Sequence, residues 1–157
     1  ARSCTRSART GRNVTLPPAH EVIERLGLAP HPEGGFYRET WRDEPADGSR
    51  GSGSAILFLL REGETSRWHR IDATEIWHYY DGAPLALDVS MDGSTAEHHV
   101  LGPGLFKDES PQAIVPADAW QSTRTLGDWT LVGCTVSPAF QFEGFELADD
   151  DFAPTSG

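Results

Sequence analysis

The chain has 157 residues, with 13 Lys and Arg against 24 Asp and Glu and a net charge of −11. That is one domain's worth of chain, long enough to bury its own core without disulfide or metal staples. Arg2, Arg6, Arg9 and Arg12 all lie in the first twelve residues, leaving nine basic against 24 acidic groups in the rest; so acidic a body repels phosphate backbones and argues against a nucleic-acid partner. Cys4 and Cys134 form neither a disulfide framework nor a zinc pattern. No apolar run approaches the length of a membrane span, so a soluble, cytoplasmic protein with no membrane partner is expected.

In chain order, residues 1–15 read as a disordered or appended tail, Arg-, Ser- and Thr-rich and without an acid through residue 15. "PPAHEVIERLG" (17–27) predicts the one helix, with prolines near its first turn, Val22, Ile23 and Leu26 on one face and Gly27 as its stop. Strands are predicted at 36–41, 54–60, 66–70, 75–80, 85–90, 96–101, 112–116, 120–125, 129–136 and 142–147, separated by turn segments such as "DGAP", "MDGS" and "GPG". Short strands at this even spacing after a single helix argue an all-β sandwich or small barrel. The domain is expected over 16–148, followed by a solvated acidic tail at 149–157.

The mouth of a small barrel is where a ligand binds. The stretch "SRWHRIDATEIWHYYDG" (66–82) concentrates His69, Glu75 and His78 among aromatic residues. Alternation along the second strand places Glu75, Trp77 and Tyr79 on one face and Ile76, His78 and Tyr80 on the other, so Glu75 and His78 cannot both face inward without a bulge. A carboxylate among aromatics has its pKa raised by desolvation and suits acid–base work, and a neighbouring carboxylate fixes the tautomer of a histidine. In "HPEGGFYRE" the paired glycines allow close backbone approach, ahead of Tyr37 and Arg38. His98 and His99 are expected on the surface.

From Gly63 the chain reads five residues to His69, then Ile71, Glu75, six more residues and Gly82. This resembles the first cupin motif, and "IVPADAWQSTRT" is similar to the second. The longer phrases "LGLAPHPEGGFYRETWR", "VPADAWQST" and "LVGCTVSPAFQFEGFEL" look like the single-domain cupin subfamily long labelled as of unknown function. The resemblance implies a double-stranded β-helix, the jelly-roll barrel, with one short N-terminal helix. Cupin motifs commonly supply three histidines and a glutamate to a divalent metal; here Ile71 stands for the second histidine and Gln121 for the third. More distantly, the chain is similar in architecture to deoxysugar-nucleotide epimerase cupins, which work without metal.

These readings together predict a pocket for a small oxygenated metabolite and an isomerase, epimerase, cyclase or lyase working by proton transfer. His69 and Glu75 are the expected catalytic pair, with Gln121 holding the developing oxyanion. Tyr37, Arg38, Trp77, Tyr79 and Trp120 complete the expected substrate-binding set. This reading needs no cofactor. The alternatives are a ligand-binding cupin without chemistry and a divalent-metal enzyme with a weak site at His69, Glu75 and Gln121. The strand at 34–42 and Trp41 are expected to pair two copies in a homodimer.

Overall fold

A computed structural model describes residues 15–157; the tail expected at 1–15 lies outside them save for Thr15. The helix α1 (Ala19–Leu26) is followed by β1 (Ala29–Pro30), β2 (Phe36–Arg42), β3 (Ser54–Arg61), β4 (Thr65–Ile71), β5 (Thr74–Gly82) and β6 (Leu85–Ser90). The chain continues through β7 (Thr95–Leu101), β8 (Gln112–Val115), β9 (Trp120–Thr125) and β10 (Trp129–Ser137), then a 3₁₀ turn at Phe142–Gly144, β11 (Phe145–Leu147) and β12 (Thr155–Ser156). Two six-stranded sheets result, ordered β1-β2-β3-β10-β5-β8 and β11-β4-β9-β6-β7-β12. This is the all-β jelly roll with a short N-terminal helix. Among the described residues no helix is long and apolar enough to cross a membrane.

The sheets close on a core of Phe58, Leu60, Trp77, Leu85, Leu87, Val89, Leu101, Val115, Val132 and Cys134. Alternation explains β3: Ile56, Phe58 and Leu60 join this core, while Leu57 and Leu59 turn to the opposite face and pack with Val22, Ile23 and Leu26 of α1. A strand covered on both faces has no polar side, which is why "SAILFLL" is apolar almost throughout. The helix is further tied down by the Trp129 indole, which donates to the Pro17 carbonyl at 2.8 Å.

Two local expectations are corrected. Residues 142–147 are not one strand: Phe142–Gly144 form the 3₁₀ turn and only Phe145–Leu147 pair, with β4. The acidic end is not a free tail either, because Thr155 and Ser156 run parallel to β7 and Phe152 packs its ring on Trp68 and Trp120. A single phenylalanine with two aromatic partners outweighs the solvation of the aspartates around it, whose carboxylates stay in water.

Candidate functional site

One end of the space between the sheets forms a cavity of about 590 Å³ including its solvent-open mouth. Its polar lining is His31, Glu33, Ser54, His69 and Glu75, and its apolar wall includes Phe58, Ile71, Trp77 and Val136. Phe140, Phe142 and Phe145 form the lip.

His69 reaches the cavity through an irregularity in β4. Pairing with β9 shifts register between Ser66 and His69, so these two residues, three apart, both turn inward and are both buried. Such a bulge re-aims side chains beside functional sites. The His69 ring sits with Nδ1 2.7 Å from the Arg67 carbonyl. A carbonyl only accepts, so Nδ1 carries a proton and Nε2 is the nitrogen free to take one. Nε2 lies 3.2 Å from Glu33 Oε2.

Glu33 arrives from the loop between β1 and β2. Its other oxygen accepts from the Ser66 hydroxyl at 2.7 Å, and its own amide donates to His31 Nδ1 at 3.2 Å. The loop is held against β4 by the Arg67 amide, which donates to the Glu33 carbonyl. Gly34 and Gly35 make this approach geometrically feasible: both have positive φ, and a Cβ on Gly34 would collide with the Thr65 carbonyl.

Glu75 enters from β5. It follows the alternation expected of that strand, buried with Trp77, while His78 faces out and bonds Thr135 and Gln112. One Glu75 oxygen accepts from Gln121 Nε2 at 2.5 Å, and Gln121 Oε1 accepts from the Trp77 indole at 2.8 Å. Burial pushes the Glu75 carboxyl up to about 7, opposed by His69 and assisted by Glu33. Burial likewise raises Glu33, against the pull of His31 and Ser66, and lowers His69, against Glu75 and the Arg67 carbonyl. The Cys134 thiol, buried beside Glu75, is pushed well above its ordinary range by desolvation and then by the two carboxylates. Burial thus raises both acids and lowers both His69 and His31, so the site favours the uncharged form of each group.

The structure therefore brings His69, Glu75, Tyr37 and Trp77 together and adds His31 and Glu33. It corrects the position of the others. Arg38 is exposed on β2; the Tyr79 hydroxyl donates to the Gly82 carbonyl at 2.6 Å, away from the cavity; Trp120 lies under Arg70 and against Phe152. Gln121 is fully buried behind the wall, and its amide clamps Glu75 to Trp77. An indole N–H can only donate, which orients the amide oxygen away from any ion in the cavity. The set His69, Glu75 and Gln121 therefore does not fit a metal, and Ile71 supplies no ligand. Among the described residues no three His, Cys, Asp or Glu are placed to hold one. His31 and Glu33 were missed because their loop has no strand alternation to assign a facing; the paired glycines after them were the available signal.

The profile of the Cupin superfamily (DUF985) matches residues 20–148. No curated protein matches the chain. Among solved structures, a protein from Shewanella oneidensis is 40% identical with a TM-score of 0.81, over 85% of this chain and 86% of its own. A hypothetical protein from Leishmania major is 28% identical with a TM-score of 0.77, over 87% of this chain and 90% of its own. Oxalate decarboxylase from Bacillus subtilis shares the fold at 12% identity and a TM-score of 0.60, over 90% of this chain and 41% of its own. With the family profile covering β1 through β11 and the jelly-roll sheets closing around the cavity, the chain belongs to the Cupin superfamily (DUF985).

Proposed function

We propose that this cupin catalyses proton transfer at carbon beside a carbonyl of a small oxygenated molecule, as an isomerase, epimerase, cyclase or lyase does. The observation that carries the reading is the arrangement of His69 Nε2, its proton-bearing Nδ1 held by the Arg67 carbonyl, together with a Glu75 carboxyl raised to about 7. Neutral His69 takes the proton from the carbon as the C–H bond breaks. Glu75, in its protonated form, gives its proton to the carbonyl oxygen, so that an enol forms and no net charge accumulates in the cavity. Return of a proton to the same carbon or a neighbouring one completes an epimerisation or isomerisation. Glu33, 3.2 Å from His69 Nε2, stabilises the imidazolium that forms, and Gln121 holds Glu75 in place. This replaces the oxyanion role expected of Gln121.

The test is solvent exchange. 2-Tetralone, a cyclic ketone with acidic protons beside its carbonyl, is incubated with the protein in deuterated buffer and its C–H signals are followed by proton NMR. Catalysed exchange is expected, falling by about 10²-fold or more in His69→Gln and in Glu75→Gln. An unchanged rate in His69→Gln would overturn the assignment, and no exchange above buffer would leave a pocket that binds without chemistry.

A further inference from the structure

The polar lining of the cavity meets its aromatic lip directly, with Phe145 stacked on the His69 ring at a centroid distance of 5.5 Å. Ala139 donates to the Gly51 carbonyl and Phe140 to the Ser54 hydroxyl, while the Arg42 and Arg50 guanidinium groups bond the carbonyls of Phe140 and Ala139 at 2.7 Å each. The aromatic segment is thus held by four backbone contacts. Phe140, Phe142 and Phe145 meet edge to face, with centroids 5.0 to 6.4 Å apart. Phe142 remains 57% exposed at the opening, an apolar ring facing water.

Charge settles what enters past that lip. Among the described residues no Lys or Arg lines the cavity. The two guanidinium groups that hold the Phe140 segment are each matched to a carboxylate, Arg42 to Glu39 and Arg50 to Asp72. Arg70, on β4, is paired with Glu146. Inside, the two carboxyls stand beside imidazoles that burial keeps neutral. An anionic ligand would be desolvated beside the Glu33 and Glu75 carboxyl groups with no cationic side chain among the described lining residues to meet it, a cost of several kcal/mol. The three phenylalanine side chains offer no hydrogen-bonding group to the body of a ligand, which favours a body with few hydroxyls.

We propose that the ligand is an uncharged molecule of about one or two fused rings, apolar along its body and carrying a carbonyl or hydroxyl at one end. Its polar end lies between His69 and Glu75, and its rings stack among Phe140, Phe142 and Phe145. Phosphorylated, nucleotide-linked and carboxylated compounds are excluded. This deepens the proton-transfer reading and rests on it for the direction in which the ligand points.

The experiment is a matched titration of the full chain, labelled with ¹⁵N, against 2-tetralone and against 1,2,3,4-tetrahydro-2-naphthoate, which has the same fused ring system with a carboxylate at the corresponding end. The Trp77 indole N–H reports from the cavity wall. The ketone is expected to move this signal and to bind at least about tenfold more tightly than the carboxylate. Phe142→Ala, a change at an exposed lip, is expected to weaken ketone binding about fivefold with the protein still folded. Equal or tighter binding of the carboxylate would overturn the inference, as would a Trp77 signal that the ketone leaves unmoved up to its solubility limit. Selective binding without solvent exchange would defeat the proton-transfer reading and keep the ligand class; exchange without selectivity would do the reverse.

Discussion

Replacing Glu75 by glutamine isolates the electrostatics of the site. The carboxyl is buried and raised to about 7 from its ordinary 4.5, so between those values the folded protein keeps a proton that the unfolded chain has lost. Stability from the neutral acid is complete below about pH 4.5 and is lost as pH rises through about 7. At about 1.4 kcal/mol for each pH unit of that interval, the buried carboxylate costs about 3 kcal/mol once fully ionised. Glutamine fills the same space, still accepts from Gln121 and never ionises. The variant should therefore gain on the wild type as pH rises, by about 2.5 kcal/mol between about pH 5 and pH 8. Urea unfolding at several pH values, with each curve extrapolated to water, measures this directly. His69 and Glu33 interact with the Glu75 charge, so the difference reports the titration of Glu75 together with its coupling to these neighbours. A difference independent of pH, or one that shrinks as pH rises, would refute the reasoning.

Gln121→Leu should destabilise by about 2–4 kcal/mol in the same assay, because it strands the Trp77 indole and the Glu75 carboxyl together. Gly34→Ala should cost about 2 kcal/mol or more, since φ is +112° there and the new methyl meets the Thr65 carbonyl; the solvent-exchange rate should fall with it, as Glu33 is displaced from His69. On assembly, β1 covers β2 only at Phe36 and Tyr37, and among the described residues the edge from Arg38 onward has no further strand on it, with Trp41 53% exposed. We propose that a second copy covers this edge, so light scattering at micromolar concentration should give twice the 17.2 kDa chain mass, and Trp41→Lys should halve it. A monomer mass for the unaltered chain would reject that.

The strands were legible because their signals are local. Alternation, turn residues and apolar runs placed β2 to β10 within a residue or two of their observed ends, and the period of two already separated Glu75 and Trp77 from His78. The cupin spacing around His69 and Glu75 pointed to the fold for the same reason: a motif records which residues a hairpin must carry. A strand's facing, however, does not name its partner across the barrel. Only the pairing of β4 with β9 sets His69 opposite Gln121, and only closure of the barrel puts the Trp77 indole on that amide, turning an expected ligand into a clamp. Glu33 lies 36 residues before His69, in a loop with no period to read; the docking of its backbone on Arg67 decides that the two meet. The acidic end shows the same limit, because composition reports the water its aspartates prefer, whereas the place of Phe152 depends on Trp68 and Trp120, brought to one surface by strands far apart in the chain.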